Sequence, residues 1–109
     1  SVKMGRVIGP SKAIAMHKHC LQYGIQLWCG GMIEFGISKA HNIALSSLSG
    51  FTIPGDISSS ARFWEEDIIE PRIVVANGQV KVPNGLGIGY EIQKKIIRKL
   101  QTHKETFII

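Results

Sequence analysis

Ile25-Gln26-Leu27-Trp28-Cys29-Gly30-Gly31, then Gly36 to Ser49, then Phe51-Thr52-Ile53-Pro54-Gly55 is the stretch that settles the architecture. The first run is short and mostly apolar, as a strand buried on both faces would be, and two glycines end it. Gly36 to Ser49 carries Ile37, Ala40, Ala44, Leu45 and Leu48 at i, i+3, i+7, i+8 and i+11. That spacing predicts a helix with one apolar stripe, closed by Gly50. Phe51-Thr52-Ile53 predicts a further strand, stopped by Pro54-Gly55.

Upstream, Val2-Lys3 reads as the end of an extended segment, followed by the loop Met4 to Pro10. Ser11 is a suitable N-cap for a helix over Lys12 to Tyr23, with Ala13, Ile14, His17, Cys20 and Leu21 on one face. Gly24 supplies its left-handed stop. Strand, helix, strand, helix, strand at this spacing predicts an α/β fold of successive βα units on a parallel sheet. Downstream the rhythm changes. Arg72 to Val75 and Gln79 to Val82 flank Asn77-Gly78, a strong hairpin signal. A glycine-rich stretch, Asn84 to Gly89, precedes a C-terminal helix. The change of rhythm predicts two parts, residues 1–70 with the parallel units and residues 71–109 with the hairpin and helix. Three parallel strands alone leave sheet edges and apolar faces uncovered, so a piece of a larger fold is expected.

The chain has 109 residues, 44% hydrophobic and 19% charged, which excludes a disordered tail. No apolar run reaches the ~18 residues of a membrane span, and Lys3 and Arg6 are followed by no signal-like apolar region. Cys20 and Cys29 are expected to be reduced core thiols, and the expected compartment is the cytoplasm. The net charge of +5 raises the question of nucleic acid. Its excess, Lys94, Lys95, Arg98, Lys99 and Lys104, lies opposite Ile96, Ile97 and Leu100 without interleaved aromatics. A solvated helix face is therefore expected in place of a phosphate-binding patch, with a small basic binding module as the alternative.

Several apparent motifs carry no chemistry. His17 and His19 are two apart on a helix and point to different faces, so they cannot chelate together. His41 is expected to be a satisfied core histidine. No Gly-Lys-Ser/Thr follows the glycines after Asn84, as a phosphate loop requires. Glu65, Glu66 and Asp67, beside Phe63-Trp64, read as loop anchors and not as a metal site.

Four segments resemble the o-succinylbenzoate synthase and N-acylamino acid racemase group of the enolase superfamily. They are Lys3-Met4-Gly5-Arg6-Val7, Trp28-Cys29-Gly30-Gly31-Met32-Ile33-Glu34, Ala40-His41-Asn42-Ile43-Ala44-Leu45 and Pro54-Gly55-Asp56-Ile57-Ser58. Val82 to Gly89 is similar to the end of that family. The resemblance implies the C-terminal portion of a TIM-type (β/α) barrel, about strands six to eight, with residues 71–109 packing on the barrel and an N-terminal capping domain. It further implies a divalent-metal (Mg²⁺) enzyme that abstracts a proton beside a carboxylate, a small-molecule carboxylate substrate and a homo-oligomer. Neither membrane nor nucleic acid is an expected partner.

Lys3 matches one of two lysines that face each other across the substrate in that family, so it is the expected catalytic residue. An amine accepts a proton near neutral pH only where its surroundings favour the neutral form. Arg6 matches a neighbour of this lysine; it either supports that neutral form by like-charge repulsion or simply pairs with a loop carboxylate. Gly30 and Gly31 permit close backbone approach, and Met32 and Ile33 are expected to line the pocket. Glu34 either hydrogen-bonds within the mouth or orders the loop, and Asp56 either orients a polar neighbour or makes an Asx turn. The family's carboxylate metal ligands come from earlier strands, so no metal ligand is expected here. Some positions depart from the family pattern: Met4 stands for a proline, Ile8 for a glycine, Phe35 for a small hydroxyl residue, Lys39 for an arginine and Leu86 for a proline.

Overall fold

The computed structural model describes residues 1–108. Three extended segments lie side by side and run in parallel. Val2 forms a parallel bridge with Cys29, its amide donating to Trp28 O at 2.9 Å while Gly30 N donates to Val2 O at 2.9 Å. On the other side, Leu27 N donates to Gly50 O, Ile53 N to Leu27 O, and Asp56 N to Cys29 O. Three residues of the last segment thus advance against two of the middle one. This out-of-step pairing falls at Pro54, which has no amide hydrogen to give, so the contact is bulged rather than a regular ladder.

Helix α1 spans Pro10–Gln22 and α2 spans Gly36–Ser46. The sequence placed the start of α1 too late. Gly9, at φ 95°, is the N-cap and Pro10 opens the helix, so Ser11 lies inside it. The glycine stop holds: Gly24 adopts φ 64°, and Ile25 N returns to Cys20 O at 2.9 Å. Helix α2 ends at Ser46, three residues before the expected end at Ser49, with Ser47 as its C-cap. Its buried face also differs from the expected stripe. Lys39, Asn42 and Ile43 are buried while Ala44 is exposed, because residues 57–73 cover the side that the apolar period did not mark.

Beyond a 3₁₀ turn at Ser60–Arg62, strand β1 (Ile69–Glu70) pairs antiparallel with β4 (Glu91–Ile92). Strand β2 (Val75–Ala76) pairs with β3 (Gln79–Val80), and Asn77 and Gly78 both take positive φ, 51° and 72°, as a type I′ hairpin requires. Helix α3, Lys94–Leu100, leaves its basic side in solvent. One core joins the parallel segments to the helices through Val2, Ala13, Leu27, Cys29 and Leu45. A second packs Ile43 of α2 against Ile69 and Ile73. His17 is buried in the seam beside the first core, accepting from Gly50 N through Nε2 at 3.1 Å and stacking on Phe51. Both cysteines are free.

Candidate active site

The parallel segments end at one mouth. Lys3 follows the bridged Val2 and is half-buried, its stem lying flat across Gly30. A Cβ at Gly30 would stand 2.7 Å from Lys3 Cγ and 2.8 Å from Cε, so a larger residue there would force the lysine stem to shift. Gly31 is more tightly constrained, since a Cβ there would meet the backbone at Asp56 O at 2.2 Å. Gly31 thus lets the backbone at Asp56 approach directly, whereas Gly30 makes room for the side chain of Lys3. Lys3 Nζ points toward Met32, 3.8 Å from its Sδ. Arg6 is exposed one turn later, its amide donating to Lys3 O at 2.9 Å.

Beside this lysine lies a cavity of about 340 Å³ lined by Gly31, Met32, Ile33, Asp56, Ser58, Arg62 and Phe63. Lys3, Gly30, Gly31, Met32, Ile33 and Asp56 are therefore brought together. Glu34 is committed elsewhere. Its carboxylate accepts from Ser38 Oγ at 3.0 Å, Asn42 Nδ2 at 2.8 Å and, more weakly, Met32 N at 3.4 Å. Its carbonyl accepts from Trp64 Nε1 at 2.9 Å, and Trp64 stacks on Phe35. Burial pushes the Cys29 thiol above its ordinary pKa; a hydrogen bond with Ser46 opposes this, and the negative charges of Glu34 and Asp56 add to it.

The residues behind the mouth include a buried set that the motifs did not reveal. Asp67, 4% exposed, accepts from Gly36 N at 2.8 Å, Ile68 N at 2.7 Å and the Ser60 hydroxyl. Ser60 Oγ in turn accepts from Ile73 N at 3.2 Å. Lys39, 2% exposed, has its pKa lowered by burial, against the opposing attraction of Asp67 and Glu34. Helical spacing alone put Lys39 next to Ala40 but outside the apolar stripe. The departure from arginine at that position was the available signal.

The donor set does not fit a divalent cation. Asp56 is the one carboxylate on the cavity wall, the oxygens of Glu34 are engaged, and among the described residues no group of three His, Cys, Asp or Glu gathers.

The sequence profile described as enolase C-terminal domain-like matches residues 1–96. The chain is 48% identical over 107 residues to an o-succinylbenzoate synthase of Bacillus subtilis, covering 98% of this chain and 29% of that protein. It is 44% identical over 104 residues to an N-succinylamino acid racemase of Amycolatopsis, covering 95% of this chain and 28% of the relative. A crystal structure of an enolase superfamily member from Listeria innocua superposes with a TM-score of 0.86 at 43% identity, over 91% of this chain and 27% of that one. The chain thus spans less than a third of the length of these relatives. The profile takes in the mouth at Lys3, both glycines and Asp56, and the superposition carries the same α/β backbone, the C-terminal part of a TIM-type barrel; the chain belongs to the enolase superfamily.

Proposed function

We propose that this chain is the C-terminal part of an o-succinylbenzoate synthase, a lyase that dehydrates a cyclohexadiene carboxylate on a cytoplasmic route to menaquinone. N-acylamino acid racemisation is the second reading, favoured by the 44% identity to a relative named N-succinylamino acid racemase. The observation that carries the proposal is Lys3, held against Gly30 where the parallel segments end. In TIM barrels, catalytic groups sit at this C-terminal face. The three segments would be strands six to eight, with residues 1–70 the barrel part and residues 71–109 an extension packing on the barrel and a capping domain.

In this reading Lys3 exchanges a proton at the carbon next to a carboxylate, or holds its charge beside the anion that the loss of that proton creates. Arg6 acts on Lys3 from one turn away. Gly30 and Gly31 keep the approach to that carbon open, Met32 and Ile33 supply an apolar wall, and Asp56 orients a polar neighbour. Glu34 orders the loop. Mg²⁺ would be held by carboxylates outside these residues, and no step assigned to this chain passes through it.

The test is made in the complete enzyme. Lys3→Ala should lower both reactions by ~10²–10⁴ with the fold retained. Lys3→Arg keeps the cation but cannot release its proton near neutral pH, so racemisation should vanish while part of the dehydration survives. Deuterium exchange at the substrate α-carbon, followed by NMR for each enantiomer, should persist for one enantiomer only. Exchange of both enantiomers at wild-type rates would show that Lys3 is not the base.

A further inference from the structure

Lys39 is a buried cation without a buried counter-ion. It lies on α2, 2% exposed, and among the described residues it makes no ion pair. The two carboxylates that attract it are spent on other donors: Asp67 on Gly36 N, Ile68 N and Ser60, and Glu34 on Ser38 and Asn42. Its ammonium is directed instead to the carbonyl of Ser59, donating at 3.1 Å, and to the face of Phe63, 5.4 Å from the ring centroid. Arg62 lies 5.6 Å from the same ring.

Ser59 and Phe63 belong to the segment that follows the third parallel element, and this segment supplies Asp56, Ser58, Arg62 and Phe63 to the cavity beside Lys3. Lys39 itself does not line that cavity. It stands behind one wall and grips it at a main-chain carbonyl and at an aromatic face. An apolar side chain of similar length would fill the space without the desolvation cost of an ammonium. The charge is therefore explained by what it holds, not by stability.

We propose that Lys39 is a positioning residue whose ammonium ties residues 56–63 to α2 and so sets the width of the cavity that receives the part of the substrate remote from the reacting carbon. The part of this inference that concerns substrate rests on the proton-transfer reading above. The tie between α2 and residues 56–63 does not.

Lys39→Met, Lys39→Leu and Lys39→Arg are compared with wild type in the complete enzyme, by hydrogen–deuterium exchange of peptides over 56–63 and by steady-state kinetics. Losing a hydrogen bond from a charged donor is expected to raise exchange in 56–63 about tenfold or more in the Met variant. Exchange in α1 should stay unchanged. KM should increase about tenfold with kcat within about threefold, as for lost substrate positioning, and Lys39→Arg should restore both exchange and KM. Should the Met variant not fold, Lys39→Leu, which likewise lacks both donor and charge, gives the same comparison. Wild-type exchange over 56–63 in a folded neutral variant would overturn the tie, whatever the activity. A lower thermal midpoint with wild-type exchange and KM would reduce Lys39 to a packing residue and overturn the proposal. Loosened exchange with unchanged KM would remove its role in substrate positioning. If wild-type enzyme moved no α-proton at all, the functional reading would fail, and the exchange measurement would still decide the tie.

Discussion

Ile8 shows how one residue is held against its own preference. Its φ is 61°, in the left-handed region that a β-branched side chain rarely enters. The side chain is 88% exposed, so little packing offsets the strain. That strain is worth about 1–2 kcal/mol, and the greater unfolded-state freedom of glycine takes back about 0.5–1 kcal/mol. Ile8→Gly should accordingly stabilise the complete protein by up to about 1 kcal/mol, read as a shift of the urea midpoint at constant slope. Ile8→Asn, which tolerates this conformation, should give a smaller shift of the same sign. A loss of stability in both would mean that the Ile8 side chain is packed in the complete protein.

At the scale of elements, the mouth is organised by how α2 meets the segment from Asp56 to Asp67. Asp67 serves as a side-chain acceptor at the start of α2, where the first amides have no partner in the helix. The helix dipole also favours a negative charge there. The same carboxylate holds Ser60, and Ser60 holds Ile73 through both its amide and its hydroxyl. Thus one buried side chain joins the helix that follows Gly31 to the 3₁₀ turn and to the strand-rich region beyond it. Asp67→Ala would leave three donors without an acceptor, which should cost about 3 kcal/mol or more. Asp67→Asn retains one acceptor and should lose about half as much. Chemical denaturation of both variants checks the ranking, and an alanine variant as stable as wild type would show that water replaces the carboxylate. The basic helix α3 is attached by a weaker contact. Lys99 pairs with Glu66 in solvent, and exposed pairs contribute little.

At the scale of the molecule, Ile25, Ile33, Ile53, Leu86 and Phe107 face solvent, and the matched relatives are more than three times as long. The 109-residue chain alone is therefore expected to be inactive and to bind Mg²⁺ no more tightly than a solvated carboxylate would. Calorimetric titration with Mg²⁺ and an assay of the purified chain check this. Specific micromolar binding, or turnover without the remaining strands, would contradict the proposal that this is one part of an active site.

Features governed by local dihedral chemistry were legible in the residues themselves. Gly24 ends α1 and Asn77-Gly78 turns the hairpin because few other residues accept positive φ there. The alternation of extended segments and helices over residues 1–53 followed from apolar spacing, although only one parallel bridge, Val2 to Cys29, forms between those segments. The ends of α1 and α2 were misread because helix ends depend on a few competing hydrogen bonds. The burial of Lys39, Asn42 and Asp67 was not legible, because it depends on chain covering α2 from more than fifteen residues away. Periodicity reports which face of a helix is apolar. Only tertiary packing decides that a lysine is enclosed, that Asp67 bridges two elements, and that Glu34 turns its oxygens mainly to Ser38 and Asn42 of α2. Each of those outcomes requires donors and acceptors distant in sequence to satisfy one another once water is removed.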